Sequence, residues 1–143
     1  PRRRLWEYCA KSALVVLRSG KYLTIPWRMI DLLCMGACIV YDTIPFANWP
    51  VPLEPNVHYL SLAIPRPIDG SPAPWESYER IPELITGYVA DAQLQEQVRE
   101  GARRYFDRAA SPVNVANYIL SSIKRAPHLS LAGEVEEARR VSG

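Results

Sequence analysis

Between Ser12 and Tyr41 the chain sets an apolar run, a punctuated helix and a second apolar run in succession, with few residues to spare between them. Ser12 to Arg18 (SALVVLR) is continuous, β-branched and closed by Ser19–Gly20, the pattern of a buried strand. After a loop over 21–25, a helix is expected at about 25–35. Thr24 can cap it, Pro26 is tolerated in its first turn because its missing N–H does no harm there, and Gly36 is a natural stop. Trp27, Met29, Ile30, Leu32, Leu33, Cys34 and Met35 make that helix apolar on almost every face, so it reads as buried. Ala37 to Tyr41 (ACIVY) is the next strand, ending at Asp42. Strand, helix and strand joined this tightly form a βαβ unit with parallel strands and a right-handed crossover. The fold class is therefore α/β, a parallel sheet flanked by helices.

At 143 residues the chain fits one domain, with enough length to bury a core. The chain has thirteen prolines against seven glycines, and many of the prolines fall between Pro45 and Pro82, where irregular extended chain is expected. Trp49, Tyr59, Ile64 and Trp75 interrupt that region, which separates it from disordered sequence. Within it Val57 to Ile64 (VHYLSLAI) alternates as a third strand, and residues 65–76 form a loop. A short helix is expected over 4–11. From Ser77 the chain turns helical, with Tyr78, Ile81, Leu84, Ile85, Tyr88 and Val89, then Leu94, Val98, Ala102, Tyr105 and Phe106, then Val115, Tyr118, Ile119 and Ile123 as core-facing stripes. Glu96, Arg99, Glu100, Arg103 and Arg104 read as a solvated face. The lobe runs over 1–125, and 126–143 is a loosely attached helical tail.

Charge and cysteines narrow the function classes. A net charge of +2, with a basic run only at Arg2–Arg4 and no basic–aromatic stripe, argues against a nucleic-acid partner. No apolar run reaches the length of a transmembrane helix, and no signal peptide is visible. Cys9, Cys34 and Cys38 lack paired spacing, so no metal site is expected. Cys34 and Cys38 read as small buried hydrophobes, and free thiols lean towards a reducing, cytoplasmic setting. The chain opens at Pro1 in mid-element, which reads as a piece of a longer protein. An apolar surface near Leu5, Trp6 and Tyr8 would mark the lost contact.

The chemistry points to Arg28. A helix N-terminus presents unpaired N–H groups and a partial positive charge, and phosphate settles there. A guanidinium in that first turn adds several donors of its own. The competing role for Arg28 is an ion pair with Asp31 on the helix surface. Thr24 could offer a hydroxyl to the same phosphate while capping, Lys21 could reach it from the loop, and Asp42 stands at a strand's carboxyl end where ligands bind. His58, in an alternating strand, reads as structural. No glycosidase-like carboxylate pair and no glycine-rich phosphate loop is present.

The segment Trp27 to Tyr41 (WRMIDLLCMGACIVY) resembles the donor-binding core of CAP10-like glycosyltransferases of family 90, which include the protein O-glucosyltransferases. There an arginine opens a helix, a small-residue turn ends it and a hydrophobic strand follows. The family's leucine–x–proline–x–x–His–Tyr element is matched by Leu53-Glu54-Pro55-Asn56-Val57-His58-Tyr59, and the likeness extends over roughly residues 12–124. Pro26-Trp27 departs from the family pattern before the arginine. The resemblance implies a Rossmann-like C-terminal lobe of a two-lobed GT-B transferase, which holds a nucleoside diphosphate sugar as donor substrate and uses no further cofactor. Acceptor site and acidic general base would lie in the missing N-terminal lobe or another chain. No catalytic residue is thus assigned here, and the lobe would be inactive alone. The alternative is a non-catalytic binding or interaction module that keeps the fold.

Overall fold

The computed structural model describes residues 2–18, 25–42, 51–64 and 71–125. Helix α1 (Arg2–Lys11) leads into strand β1 (Val15–Val16), helix α2 (Arg28–Met35), strand β2 (Ile39–Tyr41) and strand β3 (Leu60–Ser61). Helices α3 (Glu76–Glu79), α4 (Ile81–Ala90) and α5 (Ala92–Tyr105) follow. A π-helical turn over Phe106–Ala110 then leads to α6 (Pro112–Arg125). The tail 126–143 lies outside the described residues. Among the described residues no helix is long and apolar enough to cross a membrane.

The expected strand–helix–strand unit is present. β1 and β2 are parallel, Val15 opposite Ile39 and Val16 opposite Val40. Val15 N–H donates to Cys38 O and Leu17 N–H to Val40 O, both at 2.8 Å. β3 joins β2 in parallel, with Val40 opposite Leu60, giving a three-stranded sheet in the order β1-β2-β3.

The strands are shorter than the apolar runs that encode them. Ser12 closes α1 instead of opening a strand: its Oγ donates to Tyr8 O at 2.7 Å. β1 is an edge strand, and Val16 points away from the core at 59% exposure, so the run is not buried on both faces. At β3, Val57 and His58 lie in a turn because Asn56 adopts a left-handed φ of 60° and its N–H reaches Tyr59 O at 2.6 Å. The strand ends at Ser61, and two residues on Ala63 takes a left-handed φ of 52°.

Alternation along β2 sorts the core into two clusters. Ile39 and Tyr41 join Met29, Leu32, Leu33, Leu53, Tyr59, Ala102 and Tyr105 on the face covered by α1 and α2. Cys38 and Val40 join Leu60, Leu62, Ile64 and Val98 on the other, with Tyr78, Ile81, Ile85 and Tyr88 of α3 and α4 packed against them. Helices thus cover both faces. α5 serves both clusters, Val98 in one and Ala102 and Tyr105 in the other.

Three burial expectations are corrected. α2 buries one face, Met29, Leu32 and Leu33 at helical spacing, while Ile30 and Cys34 are exposed; Cys38 alone of that pair is buried. The α6 stripe does not face the core: Val115, Tyr118, Ile119 and Ile123 are exposed, and α6 has no buried residue. Its polar side is turned inward instead, with Asn114 Nδ2 donating to Asp107 O at 2.6 Å. Leu5 and Tyr8 are exposed as expected, whereas Trp6 packs against the first cluster.

Candidate functional site

α2 follows β1 and leads into β2, so its N-terminus stands at the carboxyl end of the parallel strands. The helix begins at Arg28, about three residues later than expected, with Trp27 at the cap position and no side chain capping it. Ile25-Pro26-Trp27 forms a turn first, in which Met29 N–H donates to Pro26 O at 2.9 Å. Trp27 therefore holds the cap position assigned to Thr24. Thr24 and Lys21 themselves lie outside the described residues.

Arg28 is exposed. Its guanidinium carbon lies 5.1 Å from the centre of the Trp27 ring, a cation–π contact. The surface pair with Asp31 does not form: neither ion pair among the described residues includes Arg28. The indole holds the guanidinium at the helix start without using up its N–H donors. Arg18, also exposed, stands at the end of β1 on the same edge.

Asp42 follows β2 directly, at the edge where it was expected, but it is 3% exposed and already engaged within the protein. The next opening on this edge is a pocket of about 340 Å³ beyond β3, lined by Leu62, Ala63, Glu76, Ser77, Arg80 and Leu84.

His58 has a structural place, though not in a strand. Its Nδ1 accepts from Glu54 N–H at 2.9 Å, and its ring lies 4.7 Å from that of Tyr105. Burial holds its pKa below the ordinary imidazole value, the nearby Glu54 carboxylate partly opposing this and Arg104 adding to it. Nδ1 is thus kept as an acceptor.

The larger groove, about 560 Å³, lies at the opposite, amino end of the strands, between the α2–β2 turn and α5. Gly36 forms that turn at φ 62° and ψ 38°, with Gly36 N–H on Leu33 O and Ala37 N–H on Leu32 O. The Arg103 guanidinium lies across the glycine, its Nη2 2.9 Å from where a β-carbon would be. Arg99 donates from Nη2 to Ala13 O at 2.9 Å and Ser12 O at 3.3 Å, and Arg104 pairs with Glu100 at 3.4 Å. The α5 face expected to be merely solvated is therefore partly structural. Its arginines fix the α1–β1 link and lie over the α2 C-terminus, where a cation is favoured.

Neither Glu76-Ser77-Arg80 nor Arg99-Arg103 stood out in the sequence as a site. The regular charge spacing of 76–80 and 96–107 was the available signal, and it is shared by any exposed helix. Among the described residues no group of three His, Cys, Asp or Glu side chains could hold a metal ion. Comparison with protein-family models, with curated proteins and with solved structures finds no match.

Proposed function

We propose that the chain binds the diphosphate of a nucleotide sugar at the carboxyl edge of its sheet, as the Rossmann-like donor lobe of a two-lobed glycosyltransferase. The observation that carries this is the exposed Arg28 guanidinium, held by Trp27 at the start of α2 beside the parallel ends of β1 and β2. Peptide N–H groups of the first turn and a fixed cation would act on one phosphate. In glycosyl transfer negative charge grows on the leaving phosphate, so the same cation would stabilise the transition state more than the bound donor. The attacking hydroxyl and its base would come from a second lobe or chain.

Calorimetric titration with uridine diphosphate tests this. Arg28→Ala removes charge-assisted hydrogen bonds of about 1.5–3 kcal/mol. Affinity should fall about ten- to a hundredfold while the circular dichroism spectrum is unchanged. Equal affinities for wild type and variant would overturn the proposal.

One observation favours a second reading, a non-catalytic interaction module. The apolar side of α6 faces outward, with Ile119 50% and Leu120 56% exposed. A surface of that kind suits a protein contact.

A further inference from the structure

At the amino end of the strands, away from Arg28, the groove of about 560 Å³ between α5 and the α2–β2 turn holds two opposite charges that do not neutralise one another. Arg103 and Asp107 both line it at i,i+4, a spacing at which arginine and aspartate pair readily on a helix. Between them the chain passes from α5 into the π-helical turn over Phe106–Ala110, a local geometry often found where a helix carries a functional group. The Arg103 guanidinium is laid over Gly36 instead, with Nη2, Nε and Cζ all within 3.3 Å of where a β-carbon would stand. Asp107 gives only its main-chain carbonyl, to Asn114. Among the described residues neither the Arg103 nor the Asp107 side chain has a hydrogen-bond or ion-pair partner.

Most of the remaining charge in the groove is already engaged. Arg99 donates to Ser12 O and Ala13 O, and Arg104 pairs with Glu100. Glu96 stands about 10 Å from Arg103 along the helix axis, too far to share one small ligand head with it. Three arginines and three carboxylates line the groove in all, so the lining is formally neutral and favours a ligand of no net charge.

We propose that this groove binds the zwitterion of a free α-amino acid with an apolar side chain. The Arg103 fork donates two parallel hydrogen bonds to the α-carboxylate. The Asp107 carboxylate accepts from the α-ammonium, and the negative end of the α2 dipole at Met35–Gly36 adds to that preference for a cation. Ala10, Met35 and Ala37 supply an apolar wall for the side chain. The volume falls in the middle of the range of ligand pockets, about 300–1,000 Å³, and admits a large side chain. The proposal is independent of the nucleotide-sugar reading, whose residues lie at the other end of the strands.

Amide chemical shifts of the full chain, titrated with L-alanine, L-leucine and L-phenylalanine, test it. The N-acetyl and amide derivatives of whichever binds most tightly are titrated next, each lacking one charge of the zwitterion. Saturable shifts at Gly36, Ala37, Arg103 and Asp107 are expected with the free amino acid, and about tenfold weaker binding with either derivative. Arg103→Gln and Asp107→Asn, both at exposed positions, should each weaken the free amino acid by a similar factor. In Arg103→Gln the free amino acid and its amide should bind alike, and in Asp107→Asn the free amino acid and its N-acetyl derivative should bind alike. Arg28→Ala should leave every response intact. No saturable shift with any of the three amino acids would overturn the proposal. So would a derivative that binds the unaltered protein as tightly as its parent, because the groove would then be a simple anion or cation site.

Discussion

The α5 backbone at Gly101 lies directly against the main-chain carbonyl of Val57: a β-carbon on Gly101 would stand 1.9 Å from that oxygen. One turn further along, Tyr105 meets the His58 ring and donates its hydroxyl to Val51 O at 2.5 Å. The turn before β3 is thus pressed onto α5 at a point where no side chain fits.

Gly101→Ala should destabilise the protein, although alanine is the better helix former by about 1 kcal/mol. The obstructing atom is backbone and cannot swing aside, so strain of about 1–3 kcal/mol should exceed that gain. Urea unfolding should show a lower midpoint, with shift changes centred on 54–59. An unchanged or raised midpoint would mean that the turn moves freely.

Gly36→Ala acts differently. The nearest atoms to its new β-carbon belong to the flexible Arg103 side chain, which can move. What remains is the left-handed backbone, costing about 1–2 kcal/mol. Arg103→Ala in the Gly36→Ala background should restore little stability. Substantial recovery would place the strain in the side-chain contact.

His58 should make the fold acid-sensitive. Its folded pKa lies below the ordinary 6.5, so the unfolded chain takes up a proton first as pH falls. The contribution to stability is complete above the unfolded pKa and is lost as pH falls from there through the folded value. Protonating Nδ1 also removes the acceptor for Glu54 N–H. His58→Gln should flatten the dependence of the urea midpoint between neutral and mildly acidic pH. The same slope in wild type and variant would assign it to other groups.

Tyr105 governs the alkaline limb. Burial pushes its phenol up to about 12, and burial also raises Tyr88. Above the ordinary tyrosine pKa, near 10, the unfolded chain loses protons that the folded one keeps. Stability should therefore decline from about 10 up to the folded value. Tyr105→Phe should reduce that decline and cost about 0.5–1.5 kcal/mol at neutral pH. Ultraviolet titration showing all tyrosines ionising together in the native state would contradict this.

The α6 surface gives the opposite expectation. Ile119→Gln and Leu120→Gln change residues about half exposed, so each should shift unfolding by no more than about 0.5 kcal/mol. Binding of a hydrophobic dye should drop. A loss as large as for a core residue would show that the stripe is covered in solution.

What could be foreseen follows local rules. The Gly36 stop needed only a residue free to adopt a positive φ, and the parallel pairing of β1 with β2 needed only a helix between two apolar runs. Strand extent depends on neighbours: Val16 belongs to a β-branched run, but lies on an edge strand with its side chain uncovered. The position of His58 was hidden because Asn56 in the left-handed region breaks an apparently alternating strand. The α2 start moved because Pro26 and Trp27 form a turn before the helix. The charged face of α5 gave no sign that Arg103 would lie over a glycine far away in sequence.

Because α5 contributes Val98 to one apolar cluster and Ala102 and Tyr105 to the other, the two sides of the sheet cannot come apart separately. Loss of either cluster strips α5 of half its anchorage and exposes the other. β2 and α5 should thus exchange their amide hydrogens through a single global opening, with one shared free energy. α6 adds no buried residue to either cluster, so its amides should exchange through local fraying that leaves this cooperative unit closed.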